Sequence, residues 1–216
     1  MCLLCFSKEP LSSDEVTKGQ YGAAYGQYIN DTDKFQITMC QTPCKEPACW
    51  IGTMLCFWCS QVAMRKKVLN HVAPGSGWDN YVCCQGFYGG CCCFQPGNLG
   101  EKTCPVTCMC LESCLCPGPA ASATSLVLRE KHNLGLDEDD VRLIRCNNCL
   151  YCTSIVLSCM RICIQNESLD FAAHCARCTS DVVFLCTAGC MLGQAQHEIK
   201  FREEQGTPVV ATAMER

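Results

Sequence analysis

The chain has 216 residues, a net charge of −4 and only 18 % charged residues. It carries no general basic field to draw nucleic acid and no acidic tract of the kind that marks a disordered tail. Its 26 cysteines are about 12 % of the chain, above the level of an ordinary globular protein.

The first residues, MCLLCFSKEP, lack a basic n-region and are too short for a signal peptide. The expected location is therefore a reducing compartment, the cytoplasm or the cytoplasmic face of a membrane. Cys2 and Cys5 stand in this apolar terminus as candidate acylation sites, and two acyl chains are about what stable anchoring needs. Membrane lipid is accordingly one candidate partner. Residues 1–38, polar and glycine-bearing without sustained apolar periodicity, read as a peripheral segment.

From Pro47 to Val68 apolar side chains recur at three- and four-residue steps, which predicts a helix closed by Arg65, Lys66 and Lys67. Its uncharged run is just short of the ~20 residues that span a bilayer, so a buried or re-entrant helix fits as well. Residues 72–103 contain PGSG, GFYGG, CCC and PGN, a turn-rich loop dense in thiols. There the pair Cys83-Cys84 and the triplet Cys91-Cys92-Cys93 suit loop-borne ligands or acylation. Helical text resumes at TCPVTCMCLESCLC, breaks at Pro117-Gly118-Pro119, and restarts through ASATSLVLREKHNL. Asp137-Glu138-Asp139-Asp140 opens the next helix with acids on its first turn. A last helix is expected from about 168 to 202. The fold class is thus mainly α: a cysteine-rich helical domain over 39–205, in two related halves, 39–101 and 102–205, around a turn-rich, thiol-dense central loop. Residues 206–216 read as a flexible tail.

Cysteines three or four apart share a helix face, so two such pairs can enclose one ion. In the second half, Cys146, Cys149 and Cys152 are expected to meet Cys175, Cys178, Cys186 or Cys190. In the first, Cys40, Cys44, Cys56 and Cys59 form the corresponding set. Zinc suits these thiolate sets. The run RCNNCLYC resembles the opening of a bacterial iron–sulfur motif, but its next element is missing. Copper(I) storage, disulfides such as those of C-x9-C hairpins, and free buried thiols acting as small hydrophobes are the alternatives.

LCFWCSQ and CTAGCMLGQAQHEI, each with paired cysteines followed by glutamine and a charged helix end, resemble the closing segment of the cysteine-rich onzin/cornifelin family. The plant members of that family are the cell-number regulators. LREKHNLGLDEDDVRLIRCNNCLYC is similar to the family's basic-then-thiol linker, and CCCFQPG and SCLCPG are the nearest counterparts of its double-cysteine-to-CPC signature. The resemblance implies a small, non-enzymatic, membrane-associated protein with a link to divalent metals, and it supplies no catalytic residue. The chain's own residues agree: its four histidines fall in no HExxH pattern, and no GxSxG, P-loop or dinucleotide fingerprint is present. Glu112 is a lone charge in an apolar run and makes no acid–base pair in the sequence. The expected function is a non-catalytic structural or accessory protein, stapled by thiolate-bound metal and working with other proteins in a larger assembly.

Overall fold

The computed structural model describes residues 24–88, 95–164 and 166–206. Cys2, Cys5 and Cys91-Cys92-Cys93, with the tail from 207, lie outside them. The described chain is mainly helical and has no strand; one isolated parallel bridge joins Asp33 to Leu134. Six helices make the framework: α1 (Pro47–Leu55), α2 (Phe57–Val72), α3 (Pro105–Leu115), α4 (Pro117–His132), α5 (Glu138–Cys163) and α6 (Glu167–Glu204).

The single helix expected over 47–68 is two. Cys56 leaves helical geometry (φ −145°, ψ 82°), ending α1 and starting α2. Cys116 does the same between α3 and α4, with Pro117 at the first position of the new helix, where a missing N–H costs nothing. Pro117-Gly118-Pro119 therefore begins a helix instead of interrupting one. The leucine before each break projects into solvent: Leu55 is 82 % exposed and Leu115 78 %.

α4 lies at the centre. Every residue from Ala120 to Arg129 is buried, and the small side chains of AASATS let neighbours approach closely. Asn133 adopts the left-handed conformation that ends the helix (φ 51°, ψ 48°). Asp137 caps α5 by accepting from the Asp139 N–H at 3.1 Å, and Asn166 caps α6 by accepting from the Ser168 N–H at 2.8 Å.

With 38 residues, α6 is about 57 Å long. Its second part packs against α1, α2 and α4. Gly189 and Gly193 present no side chain where α1 and the Thr42–Lys45 turn cross it, and a Cβ on either would overlap Trp50 or Thr42. The first part runs outward beside α5. The buried residues along that hairpin seam are small, Ser154, Ala173 and Ser180.

The segment 24–38 is not peripheral. Tyr25, Tyr28, Phe35 and Ile37 are buried, and the Gly135 N–H donates to the Asp33 carbonyl at 2.6 Å, tying the segment to the end of α4.

Candidate metal centre

Two buried charges from different helices meet inside the body. Arg65 of α2 does not close a helix end, as the sequence suggested, but is fully buried. Its Nη2 lies 3.0 Å from Glu112 Oε1 of α3, both side chains being wholly inaccessible. Burying such a pair is tolerable only when the remaining donors and acceptors are satisfied, and here nearly all are. Arg65 Nε donates to Thr124 Oγ1 at 2.9 Å and Nη2 to the Ala120 carbonyl at 2.8 Å. Glu112 Oε2 accepts from the Tyr81 hydroxyl and from the Cys84 N–H, both at 2.8 Å. Burial, reinforced by the Glu112 charge, pushes the Tyr81 phenol above its ordinary range.

The Cys84 contact holds an unusual turn. Cys84 (φ 47°) and Gln85 (φ 49°) are consecutive non-glycine residues in the left-handed region, each costing about 1–3 kcal/mol unless its surroundings enforce it. Glu112 grips the Cys84 N–H, Glu101 Oε1 accepts from the Cys83 N–H at 2.9 Å, and Gln85 bonds back to Val82 N and Asn80 O. Glu101 is itself buried and also accepts from Gly97 and Leu99 N–H groups. The turn presents two adjacent thiols side by side. A hydrogen bond between them holds Cys83 below the usual thiol range and, with burial, Cys84 above it.

Cys83, Cys84 and Glu112 offer ligand atoms that all lie within 4.8 Å of one another, the one such group of three or more His, Cys, Asp or Glu among the described residues. The ligands expected from spacing are placed otherwise. Cys56 and Cys59 are joined to each other as a disulfide at the start of α2, so neither sulfur is a thiolate. Cys40 and Cys44 are exposed. On the hairpin, Cys152, Cys175 and Cys178 are exposed, while Cys146, Cys149 and Cys186 are half-buried. Cys190 is buried in the core beside Met39 and Met191, and burial raises its thiol to about 12. A helix-face spacing fixes only that two sulfurs share a face. It does not say that the face of the neighbouring helix carries two more. Glu112 was the clue in the sequence: a charge amid an apolar run must find an opposite charge, and it finds Arg65, the first of three consecutive cations.

The glutamines of the repeated phrase are both buried. Gln61 Nε2 donates to the Ala120 carbonyl (2.6 Å) and Thr124 Oγ1 (2.8 Å); Gln194 Nε2 donates to the Ile37 carbonyl (2.9 Å) and Asp140 Oδ1 (3.2 Å). Asp140 in turn pairs with Arg129, whose guanidinium also covers the Phe35 ring at 4.6 Å.

Comparison of the chain with protein-family models, with curated proteins and with solved structures finds no match. Its function is argued from its own residues.

Proposed function

We propose that the chain is a non-catalytic, cysteine-rich accessory protein of a larger assembly at the cytoplasmic face of a membrane, with thiolate-bound metal, zinc first, as its staple. The observation that carries this reading is the α5–α6 hairpin. Away from its small-residue seam it exposes Tyr151, Ile155, Val156, Met160, Ile162 and Phe171. An apolar surface of that extent on a soluble monomer marks a contact with protein or lipid. α6 is also the one helix among the described residues that is long and apolar enough, by length and composition, to cross a membrane, although 39 % of that stretch is buried in the body.

The buried acids support the non-catalytic reading. Glu46 is engaged by Lys200 and His197, Glu101 by backbone amides, Glu112 by Arg65, Asp140 by Arg129, and Glu198 by Arg202 and the Gln36 N–H. Each holds the fold and none is poised beside a cleft as a base.

The test is flotation of the full chain with phospholipid vesicles, alongside its oligomeric state without them. Wild type should float or assemble, and the Ile155→Ser, Val156→Ser, Phe171→Ser triple variant should do neither while keeping its helical circular dichroism. A wild-type chain that stays monomeric and off the vesicles ends the proposal.

A further inference from the structure

The geometry points to a cation site that the cysteine spacing does not disclose: Cys83 Sγ, Cys84 Sγ and a Glu112 carboxylate oxygen bind one thiophilic divalent cation in the elbow between α2 and α3. This rests on reading the chain as metal-stapled, and it names the ligands.

Three observations converge on this turn. The ligand atoms already lie within 4.8 Å of one another. Sulfurs about 2.3 Å from a common tetrahedral ion stand roughly 3.8 Å apart, so closure on a cation needs a shift of an ångström or so and no backbone rebuilding. Second, the turn is locked. Its two left-handed residues are enforced by Glu112 and Glu101 gripping consecutive N–H groups, which fixes where both thiols point. A turn needed only for chain reversal would be met by glycine, and glycine follows at Gly86.

The third is charge. Arg65 and Glu112 are one cation and one anion, jointly neutral in a buried place. Binding M2+ with loss of one proton from each thiol adds two positive and two negative charges, and the two protons leave to solvent. The exchange leaves the pocket neutral, so no uncompensated charge is buried. Glu112 retains capacity for it: among the described residues Oε1 accepts from Arg65 and Oε2 from Tyr81 and Cys84, and a carboxylate offers about four lone-pair positions. Tyr81 and Arg65 then serve as the groups that orient the ligating carboxylate. Cys83, half-buried where Cys84 is buried, marks the side on which the ion enters. A fourth position stays open there for water, as three-ligand zinc sites allow.

The experiment titrates the reduced full chain with Cd2+, a spectroscopically accessible thiophilic probe, and pulse-alkylates at each step, with mass spectrometry reading each cysteine peptide. Cys83 and Cys84 should become protected together. Cys83→Ser should weaken the Cd2+ that protects Cys84 by roughly 100-fold, the scale on which site residues act, and Glu112→Gln should weaken it with the thiols intact. Should either variant misfold, protection in the wild type decides alone. If the chain takes up Cd2+ while Cys83 and Cys84 alkylate at the metal-free rate, this site is wrong and the metal-stapled reading stands. If the chain takes up no Cd2+ at all, both fall.

Discussion

His71 and His132, each in the last turn of its helix, meet ring to ring, Nε2 to Nε2 at 3.1 Å. One nitrogen of the pair must donate and the other accept, so at least one ring must be neutral and the pair cannot be doubly protonated. Burial lowers the basicity of both. For His132 the positive charges of Arg202 and Lys131, and the neighbouring His71 whenever it is protonated, lower it further, to about 3. For His71, Glu203 and Glu198 pull the other way against Arg202 and Lys131 without reversing the effect. In the unfolded chain both titrate near the ordinary 6.5.

The sign follows directly. Between about pH 6.5 and 3 the unfolded state binds protons that the folded state refuses, so stability is full above 6.5 and declines as the pH falls. Denaturant melts at pH 7.5, 6.5 and 5.5 should give a descending series. Carboxylates held low by their partners, such as Asp137 and Glu46, contribute their own loss only near and below the ordinary carboxylate range, so this window isolates the histidines. His132→Gln should flatten it. A wild-type profile level from 7.5 to 5.5 would show that the pair does not stay neutral.

The Arg65–Glu112 pair should be severe to break. Removing both charges should cost less than the single changes add up to, although the Tyr81 hydroxyl and the Cys84 N–H then lose their acceptor. Glu112→Leu leaves a buried guanidinium unpaired and should cost about 3–5 kcal/mol, a large part of a typical 5–15 kcal/mol total. Arg65→Met combined with Glu112→Leu removes both charges and fills the space. The double variant should be clearly more stable than the sum of the singles, with a coupling of about 1–3 kcal/mol. Urea titrations of the four proteins measure it, and additivity would mean the two charges are separately hydrated.

The glutamines of the repeated phrase should differ in cost although they match in sequence. The Ala120 carbonyl that Gln61 meets also accepts from Arg65 and Thr124, so Gln61→Leu orphans nothing there and should cost about 1 kcal/mol. Gln194 meets the Ile37 carbonyl, for which it is the donor. Gln194→Leu strands that buried group and should cost about 1–3 kcal/mol. Thermal melts rank the two, and Gln61→Leu proving the worse would overturn this account.

The pattern of three- and four-residue apolar steps marked the helices well, because burial of a stripe leaves a local record in the chain. The acid run at 137–140 marked the start of α5 for the same reason: it answers to its own helix end. What stayed hidden was long-range. The break at Cys56 has neither proline nor glycine beside it, so nothing local announces it, whereas Pro117 marks the one at Cys116. Tyr25, Tyr28 and Phe35 sit in a segment with no helical period, yet the core takes them in, the two tyrosines in the cluster of Ala123 and Leu126 and Phe35 in that of Val127, Leu128 and Leu134. Spacing that brings sulfurs to one helix face recurs throughout the chain, whereas the group whose ligand atoms lie together among the described residues pairs a loop dipeptide with a carboxylate 28 residues away.

Gly189 and Gly193 lie one turn apart on α6, and the Thr42 hydroxyl reaches across to donate to the Cys190 carbonyl between them at 3.2 Å. The Thr42 side chain fills the space above Gly193, and the Trp50 ring and carbonyl lie above Gly189. In an exposed helix, glycine to alanine would stabilise by about 0.5–1 kcal/mol. Here the added methyl must push a packed turn away. Gly193→Ala should therefore destabilise, by about 1–3 kcal/mol as overpacking does. Thr42→Ser, which deletes the methyl Gly193 faces and keeps the hydroxyl, should recover part of that loss in the double variant. Thermal melts of the two single variants and the double decide it. A Gly193→Ala protein as stable as wild type would mean that α6 and the Thr42 turn do not meet at this distance.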